Sequence, residues 1–216
     1  MGLMWDERTL SGGGSTPTNL MPGSSDPVSP MLDNLLRDAS LPTLAVLAER
    51  YGLRRMPGMS KHGLIARIVA HLSPDELVDL EDELIAARYG ALSVSDLLSV
   101  ALTQDAARLS RPGRPRLDQI SPDDAILLEN GAQRWVYTMR GYDVTVDIGQ
   151  RYLACGCRYF SFAAHQHALC KHLVTAFQVI PAIYAREALI ELLIWREYRS
   201  GVGQRWQFES TYTWKN

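Results

Sequence analysis

Cys155-Gly156-Cys157, twelve intervening residues and Cys170-Lys171-His172 bring together all three cysteines of the chain and one histidine. Three thiolates and an imidazole make a complete tetrahedral zinc set, which closes around the ion and leaves no position for a substrate. The spacing suits this chemistry. Residues i and i+2 of an extended strand project to the same face, so Cys155 and Cys157 can converge on one ion, with Gly156 permitting a tight approach. In a regular helix residues i and i+2 lie about 200° apart, so Cys170 and His172 are expected on the irregular lead-in to a following helix. A disulfide would leave one cysteine unpaired, and an intracellular, reducing setting suits thiolate ligands better. In a prokaryote that setting is the cytoplasm and nucleoid. His165 and His167 lie inside the twelve-residue loop. Either is an alternative fourth ligand, but Cys-x-His is the better pair and both are read as exposed loop residues.

The elements around this set follow from pattern. Arg134–Met139 and Tyr142–Ile148 alternate as a hairpin about Arg140-Gly141, and the chain then turns at Gly149-Gln150 into the strand carrying Cys155. Leu169–Ile180 reads as a helix with Leu173, Ala176, Phe177 and Ile180 inward and Pro181 ending it. Ala154, Tyr159, Phe160, Phe162 and Ala163 are expected to form an apolar shell about the metal loop.

C-x-C-x12-C-x-H, preceded by two strands and followed by an apolar helix, resembles the SWIM zinc finger over roughly residues 131–181. The resemblance implies one structural Zn2+ held by Cys155, Cys157, Cys170 and His172. It also implies DNA binding or protein contact, since such modules occur in chromatin-remodelling ATPases, transposases and recombination factors. Lys171, between two ligands, is expected to point outward toward phosphate or a partner.

A second unit precedes it. Leu44-Ala45-Val46-Leu47-Ala48-Glu49-Arg50-Tyr51-Gly52-Leu53, a short loop and Ser60-Lys61-His62-Gly63-Leu64-Ile65-Ala66-Arg67-Ile68 resemble the helix–extended-loop–helix text shared by the SAP motif and the Rho N-terminal fold. The loop, residues 54–59, is nearer the Rho-type length. In those families the loop and the start of the second helix touch the phosphate backbone. Carried over, Arg54, Arg55 and Lys61 would be the contacts. Charge patterning points the same way: Arg50, Arg54, Arg55, Lys61 and Arg67 face one acid, Glu49, before Asp75, Glu76, Asp79, Glu81, Asp82 and Glu83 reverse the sign. A solvated face of a protein-binding hairpin is the alternative.

The expected organisation is α+β. Residues 1–30, rich in Gly, Ser and Pro, form a disordered tail, and residues 31–105 form a helical domain with the SAP/Rho-like unit at about 41–72. A basic, Pro-rich linker spans 106–124, the zinc module 125–181, and a helix with an aromatic strand 182–216. Arg111-Pro112-Gly113-Arg114-Pro115-Arg116 holds the Gly-Arg-Pro centre of an AT-hook, but Pro112 stands where an arginine belongs, so a stiff spacer is preferred. Within 183–198 the apolar helix either fills this protein's core or docks on a partner, self-association included. Trp206, Phe208, Tyr212 and Trp214 share one strand face, which could stack bases, extend a partner's sheet or, the preferred reading, pack on the zinc hairpin.

A net charge of −2 over 216 residues gives no general attraction to polyanions, so a nucleic-acid role must rest on local patches. No apolar run reaches membrane-span length. No nucleophile–base pair, phosphate loop or open metal position stands out, so neither catalysis nor a small-molecule substrate is expected. The expected function is a non-enzymatic, zinc-containing, DNA-binding accessory protein. The alternative is an adaptor for a recombinase, helicase or transposase with little DNA affinity of its own.

Overall fold

Serine hydroxyls mark where the first five helices begin. The computed structural model describes residues 29–54, 57–109, 120–198 and 205–213. It opens with α1 (Pro30–Asp38), α2 (Leu41–Arg50), α3 (Lys61–His71), α4 (Pro74–Tyr89) and α5 (Val94–Arg108). Ser29, Ser40, Ser60, Ser73 and Ser93 each accept a first-turn backbone N–H, satisfying a donor that the helix cannot. Ser73 and Glu76 form a capping box, and Ser93 and Asp96 form a second. In both, the serine holds the carboxyl below its ordinary range. At the other end of α2, Gly52 adopts φ +72°. Leu53 N–H then reaches Ala48 O and Gly52 N–H reaches Glu49 O, a Schellman closure that favours glycine.

These helices hold one core. Leu32, Leu36, Leu44, Leu64, Ile68 and Leu80 are fully buried against one another. The chain bends by 95° between α4 and α5, and α5 enters a second core, where Leu97, Leu98 and Ala101 join the sheet residues. Helix α5 thus lies in sequence with the helical segment and in packing with the sheet unit.

The sheet contains β1 (Ala125–Asn130), β2 (Arg134–Met139), β3 (Tyr142–Asp147), β4 (Tyr152–Cys155) and β5 (Gln207–Ser210) in that spatial order. The first four are antiparallel, and β5 returns parallel to β4. The β2–β3 turn uses Arg140 and Gly141 at φ 52° and 79°, the left-handed pair that a tight hairpin requires. Trp135, Tyr137, Met139, Val144 and Val146 face inward and are covered by α7 (Lys171–Val179) and α8 (Ala182–Tyr198), with α6 (Arg158–Ala163) in the loop after β4.

The α+β expectation holds: eight helices and a five-stranded sheet among the described residues. Strand β1 and helix α6 are additions that local sequence pattern does not mark. Pro42 is the second residue of α2, and α7 begins at Lys171, not Leu169. The apolar residues of α8 largely fill this protein: Leu189, Leu192 and Leu193 are buried in the sheet core, and Tyr198 joins the helical core. Trp206 is 2% exposed and Phe208 packs beside Trp195; the strand joins the sheet as an extra strand, but on β4 and not on the hairpin itself. The expected tail up to residue 28, the linker residues 110–119 with Arg114, Arg55 and Trp214 lie outside the described residues, while the first linker residues, up to Arg108, belong to α5. No single described helix is long and apolar enough to cross a membrane.

Candidate metal centre

Strand β4 ends at Cys155, and two residues later Cys157 occupies the N-cap of α6. Between them Gly156 donates its N–H to Asp143 O at 3.0 Å. A Cβ on Gly156 would sit 3.3 Å from Thr211 Oγ1 of the C-terminal segment, so a bare backbone suits this approach. The second pair sits at the start of α7. Cys170 is its extended N-cap (φ −89°, ψ 166°), and His172 falls in the first turn. The irregular lead-in expected for both residues is therefore confined to Cys170. One extended residue is enough to bring an i, i+2 pair together.

The three sulfurs and one imidazole nitrogen lie within 4.8 Å of one another, and all four residues are buried. Cys155 Sγ is 3.8 Å from His172 Nδ1, which identifies Nδ1 as the nitrogen turned toward the thiols. A tetrahedral ion with bonds of about 2.0–2.3 Å separates its ligands by about 3.3–3.8 Å, so a small contraction closes the cluster on one metal ion. Such an ion would have four protein ligands. His165 and His167 are outside the set.

The thiols already polarise one another. Hydrogen bonds from Cys155 and Cys170 hold the Cys157 thiol well below its ordinary value. Cys155, hydrogen-bonded to Cys157, is pushed up to about 12. Burial, followed by its contacts with the other two thiols, drives Cys170 upward. The three thiols, buried and in contact, shift one another in opposite directions.

The surroundings divide into a dry side and an open side. Phe160, Ala154 and Ala163 are buried beside the loop, and the Tyr142 ring lies 5.0 Å from the His172 ring, centroid to centroid. Tyr159 and Phe162 depart from the expected shell. At 40% and 61% exposure they face outward from α6. His167, expected to be exposed, instead packs edge-on to Trp195 and Phe208, and its backbone is left-handed at φ 54°.

No family model, curated protein or solved structure matches the chain. Function has to be read from the site itself.

The cationic residues singled out for phosphate contact are less free than their sequence suggests. Arg50 forms an ion pair with Glu83 of α4, and Lys61 Nζ donates to the Arg37 carbonyl. Arg67 Nη1 donates to Arg54 O at 3.3 Å, while the Arg54 residue is exposed. The sign segregation along the chain is thus partly undone in space, where an acid of α4 meets a base of α2. Lys171 is half-buried between Cys170 and His172. Sequence reasoning missed Asp105 and Arg196, a buried ion pair at 3.2 Å beside the metal loop. Neither residue carries a local motif that could have marked it.

Proposed function

We propose that the protein is a non-enzymatic, zinc-stabilised DNA-binding accessory protein acting inside the cell in recombination, transposition or transcription-type processes. The observation that carries this reading is the convergence of Cys155, Cys157, Cys170 and His172 in one buried cluster. Thiolate-rich, closed N/S sites favour zinc among the common divalent ions. The role of one Zn2+ here is folding, since ordering a small module on zinc is worth on the order of 10–16 kcal/mol. The resemblance of the ligand spacing to SWIM fingers supports a DNA- or protein-contact module. The helix–loop–helix of α2 and α3 would supply phosphate contacts through Arg54, Arg55, Lys61 and Arg67. Arg50 and Lys61 would exchange exposed internal partners for phosphate, and exposed ion pairs are worth little in water.

The test is a salt series of fluorescence-anisotropy binding to labelled single- and double-stranded DNA, with zinc content measured on the same sample. One zinc per chain and binding that weakens steeply with salt support the reading. A zinc-replete protein that binds neither form overturns the DNA part.

A second reading, an adaptor for a recombinase, helicase or transposase, is favoured by β1. This strand is an edge of the sheet, and Ile126, Leu127 and Leu128 are all exposed on it. Open edges with apolar side chains accept a partner's strand. A stable stoichiometric complex unaffected by changes at Arg54, Arg55 and Lys61 would select it.

A further inference from the structure

Between the end of α6 and Cys170 the chain has little regular structure of its own. A single 3₁₀ turn, Ala164–Gln166, is followed by His167 in a left-handed conformation and by Ala168 and Leu169, both fully buried. Buried backbone groups outside helices and strands must find partners elsewhere. Local bonds serve two of them, His167 N–H to Ala164 O and Ala168 N–H to Ala163 O. The next two partners come from far away in the chain. Leu169 N–H donates to Asp105 Oδ2 of α5 at 2.9 Å, and the His167 carbonyl accepts from Arg196 Nη2 of α8. Asp105 and Arg196 also bind each other, Nη1 to Oδ1 at 3.2 Å, with side chains 1% and 0% exposed. The Arg196 guanidinium lies 5.8 Å from the centre of the Phe208 ring, which itself packs on Phe160 and His167.

We infer that Asp105 and Arg196 are positioning residues of the metal site, holding backbone 167–169 so that Cys170 and His172 meet Cys155 and Cys157. Metal loading is thereby coupled to the docking of α5 and α8. The inference rests on the zinc reading of the cluster. It goes beyond that reading because it assigns a role in metal affinity to two residues that are not ligands and that lie outside the ligand-bearing segment. Leu169 is the residue before Cys170, so a peptide fixed there sets the direction in which the Cys170 Cβ leaves the chain. Removing one partner of a buried pair strands the other as an uncompensated buried charge, so the two side chains hold the loop as a unit. Removing groups that orient metal ligands from outside costs about 10–100-fold in metal affinity.

The experiment uses the full chain. Zinc affinity is measured by competition with a chromophoric chelator, and the cobalt-substituted protein is examined for its ligand-field bands. Asp105→Asn keeps the shape and removes the charge; it should weaken zinc about 10–100-fold and broaden or shift the cobalt bands. Because it strands the Arg196 charge, a second variant combines Asp105→Leu with Arg196→Met. Apolar replacement of a whole buried pair commonly preserves folding, and this variant should still hold zinc more weakly. Leu64→Ala, which opens a cavity in the helical core that holds none of the four ligands, should lower the melting temperature and leave zinc affinity unchanged. Wild-type zinc affinity in both Asp105 variants overturns the inference, as does equal weakening by Leu64→Ala. A wild-type protein that binds no zinc would overturn the metal reading itself, and the inference with it.

Discussion

The helical unit α1–α4 and the sheet unit bury leucines equally well, yet they reach their order by different routes. In the helical unit the helix ends are fixed by local bonds, and the remote ones, Arg50 to Glu83 and Arg88 to Asp38 and Glu197, run between exposed side chains. Serine caps lie within three residues of the N–H groups they serve, and Gly52 and Leu53 end α2 by bonds to residues three and five before them. In the sheet unit the decisive bonds are remote. Strand β5 pairs with β4, α8 crosses α5, and Asp105 holds Leu169. A unit made of local bonds tolerates damage piecemeal. One made of remote bonds depends on whatever fixes its loops, and a metal ion held by the four-residue cluster would do so.

The largest effect is therefore expected from Cys157→Ser. Its cost should equal or exceed the roughly 5–15 kcal/mol that typically separates folded from unfolded states, releasing metal and exposing the amides of residues 134–180 to hydrogen exchange. Helices α2 and α3 should keep most of their protection. Retention of one zinc equivalent with native melting would show that the ligand assignment is mistaken, and uniform loss of protection would erase the contrast between the units. His165→Ala provides the matched control and should leave metal content unchanged.

Leu64→Ala attacks the other unit. A fully buried leucine removed from a packed core costs about 2–5 kcal/mol, measured by denaturant unfolding, while zinc stoichiometry should stay at one. Falling stoichiometry would mean that the two cores are one cooperative block. A smaller effect tests the proposed use of the helical unit. Arg54→Glu with Arg67→Glu should flatten the salt dependence of duplex binding, by about 0.9 in log–log slope for each phosphate no longer neutralised. An unchanged slope would take these residues out of any DNA interface. The smallest is Ser60→Ala. Removing the 3.1 Å cap to Gly63 N–H should cost about 1 kcal/mol without touching zinc affinity; a shift in zinc affinity would reveal coupling that the geometry does not contain.

The same contrast explains what is legible in the sequence. Serine and proline at helix starts, leucine stripes, the Arg140-Gly141 turn and the paired cysteines are local patterns, and each marks its element. Strand β1 escapes because it is exposed along nearly its whole length and so has no inward–outward alternation. Helix α6 escapes because six residues inside a ligand loop are too few to show a period. The pairing partner and direction of β5 are not legible, nor is the Asp105–Arg196 pair. Both are agreements between distant parts of the chain, and a single sequence carries no record of who meets whom. The charges of the helix–loop–helix are legible as a run, but their engagement by Glu83 and the Arg37 carbonyl requires the fold.

The parallel seating of β5 on β4 also sets a timetable. Until residues 205–213 have emerged from the ribosome, the strand that carries Cys155 is an open sheet edge. The ring of Phe208 is then missing from its place against Phe160 and Trp195. All four candidate ligands leave the ribosome well before that moment. A metal captured during synthesis would therefore enter a half-walled site, which β5 covers afterwards.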